Sequence, residues 1–130
     1  MIVIDTSALI EGLVGRTPSV RLLDLLAGEL AAPQVIDFEV LSALRGMVLG
    51  GLLSLDEAQE ARRFFYELTI WRYEGAPLAE RIWELRHQYT AHDAAYLALA
   101  ESLDSPVVTC DRKLDAGGHR AEVLLLPRSN

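Results

Sequence analysis

Apolar residues follow two rhythms along this chain. Short, β-branched runs at residues 1–4 and 107–110 each end on an acid, Asp5 and Asp111, and read as buried strands. Longer stretches carry a helical stripe instead. In the stretch that Pro33 opens, Ile36, Val40, Ala43, Leu44 and Met47 share one face until Gly50-Gly51 stops it. Ser7 is placed to cap a short helix after the first strand, and Thr17-Pro18 offers a cap and a first-turn proline for a helix over 19–27 that Gly28 closes. Ser54 and Glu57 have capping-box spacing and start a helix running to about residue 68. A short apolar segment at 30–32 precedes Pro33. Residues 69–73 predict a strand, 77–88 and 90–103 two helices, and 123–126 a last strand before Pro127. Strands alternating with helices imply an α/β fold with a mostly parallel sheet covered on both faces.

A chain of 130 residues with 51% hydrophobic and 24% charged residues suits one domain with a sizeable core, and no repeat or linker divides it. The one cysteine, Cys110, leaves no internal disulfide and no thiolate-rich zinc site; it reads as a small core residue in a reducing compartment. The opening MIVID has no basic segment, and its apolar run stops at Asp5, too short for a signal peptide or a membrane span. The expectation is a cytoplasmic protein without a membrane partner. Nineteen acids against twelve bases give a net charge of −7, so an anionic partner would need a local cation.

That charge balance makes four acids worth placing. Asp5 and Asp111 each follow a buried strand and should emerge at the carboxyl edge of a parallel sheet, where open α/β folds bind ligands; each alone also reads as a cap or turn acid. Asp93 aligns with Leu97 and Ala100 on the inward face of its helix, although its position three residues after Thr90 also suits an N-terminal cap. Glu39 lies at the margin of a buried face, where it reaches either a cleft or solvent. Two carboxylates about 5 Å apart repel by about 3 kcal/mol at an effective dielectric near 20. Four together would call for a hard divalent cation, Mg²⁺ or Mn²⁺, since no His or Cys accompanies them as a ligand. Such an ion also binds phosphate oxygens and activates water.

The ordered set Asp5-Thr6-Ser7, Glu39, His92-Asp93-Ala94-Ala95-Tyr96-Leu97-Ala98-Leu99-Ala100 and Val108-Thr109-Cys110-Asp111 resembles the PIN-domain nucleases, and among them the VapC toxins of toxin–antitoxin pairs. The resemblance spans the chain from its N-terminus nearly to its C-terminus. It implies a three-layer α/β/α fold, Mg²⁺- or Mn²⁺-dependent cleavage of RNA, a homodimer, and inhibition by a cognate antitoxin. It also implies roles by position: Asp5, Glu39, Asp93 and Asp111 as the acidic quartet that holds metal, with Asp5 and Asp93 in direct contact, and Ser7 and Thr109 as supporting hydroxyls.

Asp115, one turn past Asp111, is either a fifth acid or an exposed turn residue. Arg112 and Lys113 follow Asp111 and are either phosphate-positioning residues or solvated charges. His92 points about 100° away from Asp93 and is expected at the surface. Among Phe64, Phe65 and Tyr66 at least one should be exposed or in an interface, because three neighbours on a helix cannot face one way. Two other functions compete. A receiver or aspartyl-phosphate hydrolase fits the length, but Thr6-Ser7 stands where the hydrolase needs a second carboxylate, and no strand–acid pair lies mid-chain for a receiver. A non-catalytic binding module would have no need of all four acids.

Overall fold

The computed structural model describes residues 1–129. Five strands form one sheet in the order β3-β2-β1-β4-β5, where β1 is Ile2–Ile4, β2 Leu30–Pro33, β3 Ile70–Tyr73, β4 Val107–Thr109 and β5 Val123–Leu125. Every pairing is parallel, so the sheet is fully rather than mostly parallel. Its helices are α1 (Thr6–Val14), α2 (Val20–Leu26), α3 (Ile36–Leu49), α4 (Leu55–Glu67), α5 (Ala79–Glu84) and α6 (Ala91–Leu103). The crossovers from β1 to β2 and on to β3 carry α1–α4, which pack together on one face, as right-handed parallel connections require. The return from β3 past β1 to β4 puts α5 and α6 on the other, with α6 against β1, β2 and β4. The result is the expected three-layer α/β/α arrangement, and the chain reverses its direction of winding between β1 and β4.

Burial explains the element types. Val3, Ile4, Ala31, Ala32, Val107 and Val108 are fully enclosed, as strands covered on both faces must be. Residues Ala94 to Ala100 are all buried on a helix wedged between the sheet and α5, with Ala94, Ala95, Ala98 and Ala100 allowing close approach. On α4, Phe65 is fully buried while Phe64 and Tyr66 are about half exposed, as neighbours 100° apart require. Among the described residues no helix is long and apolar enough to cross a membrane.

Several boundaries differ from those the sequence suggests. Asp5, not Ser7, caps α1: its carboxylate accepts the Ala8 N–H, and Ser7 lies inside the first turn. Ser19, not Thr17, caps α2, so Pro18 stands outside the helix. Pro33 closes β2 instead of opening a helix. Its fixed φ suits extended chain, and at a strand's last residue its missing N–H costs little because Gln34 N–H takes up the next bond, to Tyr73 O. The α3 helix then starts at Ile36 with no side-chain cap. The helix expected over 77–88 is a 3₁₀ turn, Ala76–Leu78, followed by the short α5; from Leu85 the chain turns to deliver Tyr89 to the core, where its hydroxyl donates to Gly117 O at 2.6 Å. By contrast, the Ser54–Glu57 capping box forms as the spacing implies.

Candidate active site

Three helices begin at the carboxyl edge of the sheet, and each brings an acid there. Asp5 caps α1 directly after β1, Glu39 sits in the first turn of α3, and Asp93 in the first turn of α6. Asp111 follows β4 and caps a 3₁₀ turn, Arg112–Asp115. The positive ends of the helix dipoles offset part of the charge that these carboxylates concentrate. The place is the winding reversal between β1 and β4, where open α/β sheets form a crevice.

Asp5 is the most enclosed of the four, 6% exposed, and the most completely bonded. Its Oδ1 accepts from Ser7 Oγ at 2.8 Å and Ala8 N at 2.9 Å, and its Oδ2 accepts from Thr109 Oγ1 at 2.5 Å. Burial pushes its carboxyl above the usual aspartate range, the three donors pull it back, and the charge of Asp111 adds to the rise. Thr109, fully buried, also accepts the Asp111 N–H at 2.9 Å, and Ser7 Oγ accepts the Cys110 N–H at 2.9 Å. The two hydroxyls therefore clamp the end of β4 to the start of α1. Cys110 is enclosed beside them, and burial, with the nearby Asp5 charge, pushes its thiol up to about 11, so it stays a neutral packing residue.

Glu39 is held from both helix layers. Its Oε1 accepts from Tyr96 OH at 2.5 Å and Thr6 Oγ1 at 2.9 Å, and its Oε2 faces His92 Nδ1 at 3.2 Å. Desolvation and the Glu39 carboxylate hold the Tyr96 phenol far above its ordinary range, so Tyr96 is a permanent donor. The start of α3 is itself pinned to β3: Arg72 Nε donates to both carboxylate oxygens of Asp37 at 2.9 Å. Glu39 thus points inward from a fixed helix start.

Asp93 and Asp111 share one cation. Lys113 Nζ lies 3.5 Å from Asp93 Oδ2 and 3.4 Å from Asp111 Oδ2, and both charges hold its ammonium above the ordinary lysine range. Arg112 is exposed and makes no ion pair among the described residues. Asp115 is exposed in the 3₁₀ turn and makes no hydrogen bond or ion pair to the other four acids there. His92 is exposed, as expected, but its contact with Glu39 was not foreseeable from its own helix. Thr6 and Tyr96 were missed as site residues; the signals were Thr6 directly after Asp5 and Tyr96 one turn on from both His92 and Asp93.

The donor set is hard oxygen throughout, the chemistry that suits Mg²⁺ or Mn²⁺, and a cation already stands between two of the acids in the form of Lys113. As the side chains stand, no three His, Cys, Asp or Glu among the described residues converge as a metal cluster. The set fits a divalent ion in kind.

Residues 2–119 match the family model described as PIN domain. The VapC ribonuclease Mb0985 of Mycobacterium bovis is 35% identical over 129 residues, covering 98% of this chain and 100% of that protein. The crystal structure of PAE2754 from Pyrobaculum aerophilum superposes with a TM-score of 0.72 at 22% identity, over 94% of this chain and 81% of that one. A toxin-antitoxin complex from Klebsiella pneumoniae gives 0.66 at 24% identity, over 91% and 92%. Both structures share the fold; the sequence match carries further. On the family-model match and this end-to-end similarity, the chain belongs to the PIN domain family, in its VapC group.

Proposed function

We propose that this protein is an endoribonuclease that hydrolyses RNA phosphodiester bonds with the help of Mg²⁺ or Mn²⁺, and that it is the toxin of a toxin–antitoxin pair. The observation that supports this reading is that Asp5, Glu39, Asp93 and Asp111, from four separate stretches of chain, each stand at the carboxyl edge of one parallel sheet. The relative from Mycobacterium bovis, matched end to end, is a ribonuclease by name, and a fold neighbour is a toxin–antitoxin complex; these support RNA as substrate and a cognate antitoxin as partner. We further assign a homodimer and a cytoplasmic site of action, the latter in keeping with an RNA substrate and the single enclosed cysteine.

Asp5 and Asp93 would hold the ion, with Asp111 and Glu39 completing the acidic set. When bound, the ion supplies positive charge to the scissile phosphate and favours ionisation of the attacking water. Thr109, Ser7 and the Ala8 N–H fix both oxygens of Asp5, so that a buried carboxylate meets its ligand in one orientation. Tyr96 and Thr6 occupy Oε1 of Glu39 and leave Oε2 directed to the open side, next to His92. Arg112 and Lys113, next to Asp111 in the chain, would receive phosphate oxygens of the substrate. Asp115, exposed in the same turn, stands outside this set.

The test is incubation of the purified protein with RNA and Mn²⁺. Cleavage should appear, disappear with a chelator, and be lost in folded Asp5→Asn and Asp93→Asn. Cleavage that survives both substitutions rejects the reading, and RNA binding without fragments favours a non-catalytic module.

A further inference from the structure

We infer that Lys113 is the site's own counter-ion in the metal-free protein, and that it competes with the divalent cation for Asp93 and Asp111. The inference rests on the metal-dependent reading above and adds a step that precedes the reaction. Lys113 engages both oxygens of Asp111: its backbone N–H donates to Oδ1 at 3.1 Å and its ammonium lies 3.4 Å from Oδ2. The same ammonium gives Asp93 its only ion pair among the described residues. Two of the four acids are therefore turned toward a side chain of this chain.

The physical need is plain. Carboxylates gathered at one edge repel, and among the described residues Asp5 has no ion pair to relieve it, only neutral donors. A lysine is suited to a temporary place. Its ammonium is a strongly hydrated point charge on a flexible stem, and 62% of the Lys113 side chain is exposed, so it can leave without disturbing the core. A fixed guanidinium fork at this position would hold on through paired hydrogen bonds. A divalent ion brings twice the charge and binds carboxylate oxygens directly, so it displaces the ammonium. The released Lys113 remains tethered beside Asp111 through its backbone and gains a free charge at the edge where substrate phosphate arrives.

The experiment is titration of the full chain with Mn²⁺ alone, followed by calorimetry and by thermal melting, in wild type, Lys113→Met and Lys113→Gln. Circular dichroism establishes that each variant is folded; the exposed position and two different replacements guard against a local packing effect. Both variants should bind Mn²⁺ more tightly than wild type, on the order of tenfold for the loss of two partly exposed ion pairs. Without metal they should melt below wild type, and Mn²⁺ should raise their melting temperature by more. Equal or weaker Mn²⁺ binding by the variants overturns the assignment of Lys113 as a competitor while leaving the metal reading intact. Failure of all three proteins to bind Mn²⁺ overturns both.

Discussion

Tyr96 and Thr6 meet on the same oxygen of Glu39: the phenol donates to Oε1 at 2.5 Å and the threonine hydroxyl at 2.9 Å, with 3.1 Å between the two hydroxyl oxygens. One residue comes from the middle of α6 and the other from the first turn of α1, so Glu39 records how both helices pack against α3. A hydrogen bond to a charged group contributes about 1.5–3 kcal/mol. Tyr96→Phe should therefore lower RNA cleavage roughly ten- to hundredfold, with the fold and the proposed Mn²⁺ binding little changed. Because both donors share one acceptor, Tyr96→Phe with Thr6→Val should depart from additivity. Rates for the two single variants and the double, measured under single-turnover conditions, decide this; strictly additive effects count against a shared positioning role.

Thr109 ties β4 to α1 by donating to Asp5 and accepting from Asp111 N–H. Thr109→Val keeps the volume but leaves a buried carboxylate oxygen and a backbone N–H without partners. The expected loss is about 2–4 kcal/mol in urea unfolding, with Thr109→Ser close to wild type. If Thr109→Val is as stable as wild type, the hydroxyl is not what clamps these elements.

Away from the site, Glu101 on α6 receives Arg81 Nε at 2.7 Å and Arg81 Nη2 at 3.0 Å, and accepts the Arg120 N–H at 2.7 Å. The bond from Arg81 is the main reason its carboxyl is held below the usual glutamate value of 4.5. Its folded value lies below its unfolded one, so the stabilisation is fully present above about 4.5 and is lost as pH falls through the folded value. Melting temperature followed from pH 7 to 3 (an approximate span chosen around that value) should fall more steeply in wild type than in Arg81→Leu. Parallel curves would show that the pair contributes nothing to the acid limb.

Asp104 ends α6 at φ 48° and is the one non-glycine residue with positive φ among those described. A side chain in this left-handed conformation is strained, and glycine is not. Asp104→Gly should raise stability by about 0.5–1 kcal/mol, measured by denaturant unfolding. A loss of stability instead would mean that the aspartate side chain favours the turn more than its backbone strain costs.

Local pattern alone specified the layers of this protein and put Asp5 and Asp111 at the ends of buried strands. Apolar β-branched runs that stop at Asp5 and Asp111 specify buried strands with carboxylates at their ends, and the alternation with helical stripes specifies parallel winding, because these signals are local and periodic. Asp93 was legible as inward-facing from its register with Leu97 and Ala100. What no local rule contains is which side chain from one helix meets another. That Glu39 is shared by Tyr96, Thr6 and His92, that Ser7 supports Asp5 while Asp5 itself takes the cap, and that Lys113 turns back across Asp93 and Asp111 depend on contacts between residues as far apart as Asp5 and Thr109. Pro33 makes the same point for the backbone. Its ring is compatible with a helix start or an extended end, and pairing of β2 with β3 through Tyr73 selected the second. Sequence fixes what each segment can form; only the packing of layers chooses among partners whose local energies are nearly equal.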